Sequence, residues 1–249
     1  ALIAQLKNAI TQAQAQDLYE KNPNTTDYTS MILNPDAAAE TGWNINKGTG
    51  NTNTGVGQYY DKRQETTHRY FDSWNGTAGA LNYYADQKVI GLPNGTYRVT
   101  VCARTMGTGS YVFSANGEQA ADTTWVEIPT QTFNWTHNDM GIGGETKADG
   151  TDSIVGAADQ FGQIWEDAFY EYQKNPSRDD LAGIVNANNG KGRGWQRLTW
   201  TAEVINHELT LGMTTDSLRT GKAGFTGTWF SVVDWTLELT QAGDNNGWF

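Results

Sequence analysis

The stretch that most constrains this chain runs from Gly91 to Ala103, Gly-Leu-Pro-Asn-Gly-Thr-Tyr-Arg-Val-Thr-Val-Cys-Ala. Pro93 presets φ for a turn, and Gly95 tolerates the positive φ that tight turns demand. Past the turn, Tyr97, Val99, Val101 and Ala103 alternate with Arg98, Thr100, Cys102 and Arg104. That period of two predicts a strand with one face on a core and one face wet. Such a strand needs hydrogen-bonding neighbours and a second layer over its apolar face, so the rest of the chain has to supply more strands.

It does. Leu198, Trp200, Ala202 and Val204 alternate with Arg197, Thr199, Thr201 and Glu203, and Leu209, Leu211 and Met213 with Glu208, Thr210 and Gly212. Between Thr228 and Leu239, one face carries Trp229, Ser231, Val233, Trp235, Leu237 and Leu239. The first half of that segment is apolar on both faces, as in a central strand or one crossing a bend. Shorter strands are expected within residues 28–46, over 80–90, over 111–115 before the hairpin signal Asn116-Gly117, and over 125–128. Residues 47–58, 129–158 and 186–194 are rich in Gly, Asn and Thr and read as loops. The sum predicts an all-β chain folded as a two-sheet antiparallel β-sandwich.

Two segments carry a helical period instead. Leu2, Ile3, Leu6, Ile10 and Ala13 predict a helix closed by Asn22-Pro23-Asn24, and Phe161, Ile164, Trp165, Ala168, Phe169 and Tyr172 predict another, stopped at Asn175-Pro176. The domain reading is an N-terminal helix over 1–24, ending a preceding region or packing on the sandwich. A β-sandwich over 25–249 follows, with a helical insertion at about 157–174.

With 249 residues the chain can bury a sizeable core without staples, and its one cysteine, Cys102, cannot form an intrachain disulfide. The net charge of −11 argues against nucleic acid or anionic lipid as partner. No run of about 18 apolar residues is present, so no membrane-spanning helix is expected. A chain that starts at Ala1 reads as a trimmed or mature one from which any export signal is gone.

The order of segments resembles a known family. Met31-Ile32-Leu33-Asn34-Pro35-Asp36 and Gly42-Trp43 come first, then Phe71-Asp72-Ser73-Trp74. Val89-Ile90-Gly91-Leu92-Pro93-Asn94-Gly95-Thr96-Tyr97 follows, and Gly227-Thr228-Trp229-Phe230-Ser231-Val232-Val233-Asp234-Trp235 closes the pattern. Over roughly residues 28–240 this resembles the galactose-binding-like jelly-roll domains of glycan-binding and carbohydrate-active surface proteins of gut Bacteroidetes. It is similar to carbohydrate-binding modules of the family 6 and 35 type. The resemblance implies a jelly-roll sandwich, export to the envelope or cell surface, a structural calcium, and glycan binding through aromatic rings at loop tips or on a sheet face.

Sugars stack their C–H faces on aromatic rings while neighbouring polar side chains bond the hydroxyls. Trp43, Tyr59, Tyr60, Trp74, Trp125, Trp135 and Trp195 lie in or beside polar stretches. The plainer reading of each is an anchor for the core or a loop. Tyr59, Tyr60 and Arg63 with Trp74 and Asn75 form the densest set of platforms and hydrogen bonders and are the expected ligand site, with Phe225 and Arg219 as a second wall. Trp200 and Trp235 are assigned to the core and Trp165 to a helix face. Asp149-Gly150-Thr151-Asp152 spaces Asp149 and Asp152 as a calcium loop does, and as an ordinary Asp-Gly turn does. Asn75-Gly-Thr, Asn94-Gly-Thr and Asn134-Trp-Thr match the glycosylation pattern.

Catalysis finds less support. Glu65 with Asp72, or Glu127 with Glu166, can be paired as glycosidase carboxylates, yet their spacing does not single them out. No Gly-x-Ser-x-Gly is present, and His68, His137 and His207 lack zinc spacing. The expectation is therefore a non-catalytic carbohydrate-binding module of an exported or cell-surface glycan-utilisation protein, with a glycan and sibling domains as partners. A ligand-free spacer and a jelly-roll glycoside hydrolase are the alternatives.

Overall fold

The computed structural model describes Ile10, Ala13 and Asp17 and residues 25–48, 53–61, 66–116, 122–130 and 196–245. Ten strands are found among them: β1 (Asn44–Asn46), β2 (Asn53–Asp61), β3 (Thr66–Trp74), β4 (Tyr84–Ile90), β5 (Gly95–Met106), β6 (Tyr111–Ala115), β7 (Thr123–Glu127), β8 (Gln196–Val204), β9 (Glu208–Thr214) and β10 (Trp229–Ala242). They form two five-stranded sheets, ordered β1-β4-β9-β6-β7 and β2-β3-β10-β5-β8. Every pairing is antiparallel. This is the two-sheet antiparallel all-β sandwich that the strand pattern predicts.

The central stretch behaves as its alternation requires. β5 lies between β10 and β8, and Tyr97, Val99, Val101 and Ala103 are fully buried between the sheets. The Tyr97 hydroxyl donates to the Pro93 carbonyl oxygen at 2.8 Å and so ties the strand to its own turn. Gly95 takes φ +151°, and a Cβ there would meet the Gln241 carbonyl. Each buried Val or Leu contributes about 1.5–3 kcal/mol relative to exposure. At the middle of the core, Trp235 packs on Trp43 at 5.7 Å and on Trp200 at 6.2 Å between ring centroids. The Trp200 Nε1–H donates to Ser114 Oγ at 2.8 Å, satisfying the indole across the two sheets.

β10 departs from simple alternation. Val233 stands opposite Cys102, Thr236 opposite Thr100 and Leu237 opposite Val99, so two residues, Asp234 and Trp235, face Val101 alone. Asp234 takes φ +56°. This β-bulge flips the parity of the strand. Trp229, Ser231 and Val233 lie on the outer face with Arg104, while Trp235 and Leu237 turn inward. The one face expected from Trp229 to Leu239 is therefore split into two half-faces, which explains why the segment reads as apolar on both sides.

Three further expectations are corrected. Residues 28–33 form no strand: Thr29–Met31 is a 3-10 turn, started where Asp27 Oδ1 accepts from the Thr29 N–H. Tyr28 and Ile32, four apart, still reach the core. The polar stretch 47–58 is a loop only in part, because Asn53–Asp61 is a strand paired along β3; ladder hydrogen bonds come from backbone and need no apolar side chains. β6 and β7 pair, but the connection spans 116–122 and is not a two-residue turn at Asn116-Gly117. In the N-terminal segment Ile10, Ala13 and Asp17 are helical and exposed. The helix expected at 157–174 lies outside the described residues.

Candidate functional site

The outer face of the first sheet carries the best-defined cluster. Its register places Phe113 of β6 opposite Trp125 of β7 on one side and Gly212 of β9 on the other. Tyr84 of β4 stands diagonally across β9, paired with Thr214, while Asp86 is the β4 partner of Gly212. Without a side chain at that point, Phe113 reaches across to stack on Tyr84, with centroids 5.8 Å apart and planes at 26°. On its other side Phe113 meets Trp125 at 4.8 Å, and Tyr111 meets Trp125 edge-on at 6.4 Å. Phe113 and Tyr111 are buried in this row, whereas Tyr84 and Trp125 are half-buried.

Arg219 closes the Tyr84 end. It lies in a one-turn helix, Ser217–Thr220, whose Asp216 cap accepts from the Leu218 N–H at 2.9 Å and whose C-terminal Gly221 takes φ 65°. The Arg219 guanidinium lies 3.8 Å from the Tyr84 ring centroid, and its Nε is 3.5 Å from Asp216 Oδ2. Tyr84 thus meets both Phe113 and Arg219. The Tyr84 hydroxyl donates to Asp86 Oδ2 at 2.6 Å. Burial first, and then this carboxylate acceptor, push the phenol well above its ordinary pKa, and the Arg219 charge opposes them. At the other end no such cap stands among the described residues. Trp125 belongs to β7, the edge strand of its sheet among the described residues, and meets Phe113 and Tyr111. Lys222 Nζ lies 5.9 Å over the Tyr111 ring, and Glu127 Oε1 accepts from the Gly109 N–H at 3.0 Å. A half-buried indole on the outer face of a sheet suits stacking of a flat C–H face.

The residues singled out in the sequence are dispersed. Trp74 is half-buried at the end of β3, on the outer face of the second sheet, opposite Trp229. The same face holds Asp72, which accepts from Ser231 Oγ at 3.1 Å, and Arg104, wholly buried with its guanidinium 5.1 Å from the Tyr70 ring and 5.8 Å from that of Trp229. Arg104, expected on a wet face, is therefore enclosed by aromatic rings. Asn75 is buried and its Oδ1 accepts from the Thr77 N–H, which gives it a turn-forming role. Tyr59 and Tyr60 lie in β2 opposite His68 and Thr67 of β3.

Arg63, Trp135, Trp195, Asp149 and Asp152 lie outside the described residues, as do Glu65 and Glu166. Trp43 is a core residue, its Nε1–H donating to the Leu33 carbonyl. Phe225 is in the core too, so it makes no second wall with Arg219. Trp125 was among the candidate rings, but Tyr84, Phe113 and Tyr111 read only as strand aromatics; the signal for them is a glycine, Gly212, inside an alternating strand. Among the described residues, no group of three or more His, Cys, Asp or Glu side chains stands close enough to hold a metal ion, and no helix is long and apolar enough to cross a membrane.

No protein-family model and no curated protein matches the chain. Solved structures with a similar course of strands include TmCBM61 in complex with beta-1,4-galactotriose, at 13% identity and a TM-score of 0.43, covering 83% of this chain and 96% of that one. A carbohydrate-binding module, CBM6cm-2 from Cellvibrio mixtus lichenase 5A in complex with cellotriose, is similar at 8% identity and 0.33, covering 79% and 97%. The enzymatically active domain of bacteriophage CBA120 tailspike protein 4 is similar at 10% identity and 0.42, where the match takes in 83% of this chain and 20% of that one.

Proposed function

We propose that the chain is a non-catalytic carbohydrate-binding module and that Trp125 is its principal stacking platform. The observation that carries this reading is the row Arg219–Tyr84–Phe113–Trp125, whose last ring stands on the edge strand of its sheet among the described residues. Packing alone would bury such a tryptophan on the core side; here it stands half-buried on the outer face, in contact with Phe113 and Tyr111. A platform held this way loses little conformational entropy when a sugar stacks on it. The module acts as part of an exported or cell-surface glycan-utilisation protein. Trp74, half-buried on the opposite outer face beside Trp229, is the second candidate platform. Screening on a glycan array with the wild type, Trp125→Ala and Trp74→Ala tests the reading: loss in Trp125→Ala alone supports it, loss in Trp74→Ala alone moves the site to the second sheet, and binding by none of the three overturns it.

A further inference from the structure

A cleft of about 360 Å³ opens where the edge strands of the two sheets approach, between β7 with its sheet neighbours β6 and β9 on one side and β8 on the other. That volume falls at the lower end of the roughly 300–1,000 Å³ typical of small-ligand sites. Asn116, Asp122, Thr123 and Thr124 line one wall, and Thr201 and Glu203 the other. At its base lies Ser114, only 3% exposed. Ser114 Oγ accepts the Trp200 indole N–H, which leaves its hydroxyl proton and a second lone pair to offer. Leu209 and Ile205 add apolar surface.

We infer that this cleft is a binding subsite for one neutral sugar unit and that it discriminates against acidic sugars. Two observations carry the inference. Five of the ten described lining residues, Ser114, Asn116, Thr123, Thr124 and Thr201, carry a hydroxyl or an amide, the partners that sugar hydroxyls need. Among the described lining residues none is Lys, Arg or His, whereas Asp122 and Glu203 are both acidic and exposed. A uronate or sulfate placed here would meet like charge with no counterion from the lining. The cleft is floored between the sheets by Ser114, whereas Trp125 stands on the outer face, so the two positions are separate. This inference extends the carbohydrate reading to a second position and fixes the charge class that the position accepts.

The test is a chemical-shift titration of isotope-labelled protein with galactose and with galacturonate at neutral pH and low salt. The expected result is saturable shifts at the amides of Asn116, Thr124 and Thr201 with galactose, and affinity lower for galacturonate by on the order of tenfold. Asp122→Asn narrows that gap. Thr124→Arg, on an exposed edge position, fills the cleft and abolishes the galactose shifts. Trp125→Ala retains them, so failure of the platform and failure of the cleft are separable. Galactose and galacturonate acting equally, or no localised shifts with galactose, overturns the inference even if a glycan binds at Trp125.

Discussion

Gly212 of β9 and Phe113 of β6 face each other in the ladder, and the Phe113 ring fills the space where a side chain at 212 would stand. A Cβ at 212 would also come within 2.5 Å of the Ala85 carbonyl oxygen, which belongs to the neighbouring strand and has no freedom to withdraw. Gly212→Ala is therefore expected to destabilise the fold by about 1–3 kcal/mol, as overpacking does. It also turns Phe113 off Tyr84, so glycan affinity falls with stability. Urea unfolding together with near-ultraviolet circular dichroism of the aromatic row checks both effects.

Arg219 holds the outer end of the row through the Tyr84 ring face and is itself held by Asp216. An exposed cation–π contact is worth about 0.5–1 kcal/mol. Arg219→Ala should cost no more than that in stability and should lower the Tyr84 resistance to Phe113 displacement. Arg219→Lys should recover only part, because a compact ammonium does not stack as a planar guanidinium does. Thermal melts of the three proteins give the comparison.

Asn94 clamps the turn that begins the central strand. Its Oδ1 accepts from the His207 N–H at 3.0 Å and its Nδ2 donates to the Asp244 carbonyl at 2.9 Å, while His207 itself takes φ 60°. Asn94→Ala removes both bonds and leaves a constrained turn without its support, at an expected cost of about 1–2 kcal/mol. The same bonds engage the side chain that the glycosylation pattern would modify. Denaturant midpoints measure the loss, and a variant as stable as the wild type would contradict it.

Alkaline pH should destabilise the protein through its buried tyrosines. Burial raises the pKa of Tyr83, Tyr84 and Tyr97; the Asp86 hydrogen bond adds to it at Tyr84, and the proximity of Tyr28 at Tyr97. Below about pH 10 these phenols are protonated in both folded and unfolded chains and give no pH dependence. Above it the unfolded chain releases protons that the folded chain retains, so stability falls as pH rises. Tyrosinate absorbance followed alongside unfolding should show these groups ionising only with loss of structure.

Local alternation made the strands around Tyr97, Trp200 and Leu211 legible, because each side chain's face is set by its own parity. It failed at Trp229–Leu239, where the bulge at Asp234 changes parity without any marker such as glycine or proline. It failed again at Asn53–Asp61, where a strand is held by backbone bonds to β3 and its composition is that of a loop. The aromatic row was hidden for a different reason. Tyr84, Phe113 and Trp125 come from three segments, and only the register of β4, β9, β6 and β7 brings them together. Trp74 and Asn75 were adjacent in sequence, and that adjacency turned out to mean a strand end and a turn.

The most direct test of the account is affinity electrophoresis of the wild type, Trp125→Ala and Trp74→Ala through gels containing soluble neutral polysaccharides. The account predicts that one or more polysaccharides retard the wild type and Trp74→Ala equally, and that Trp125→Ala, folded by circular dichroism, is retarded far less. Retardation of Trp125→Ala equal to that of the wild type, or no retardation of the wild type by any polysaccharide, would contradict it.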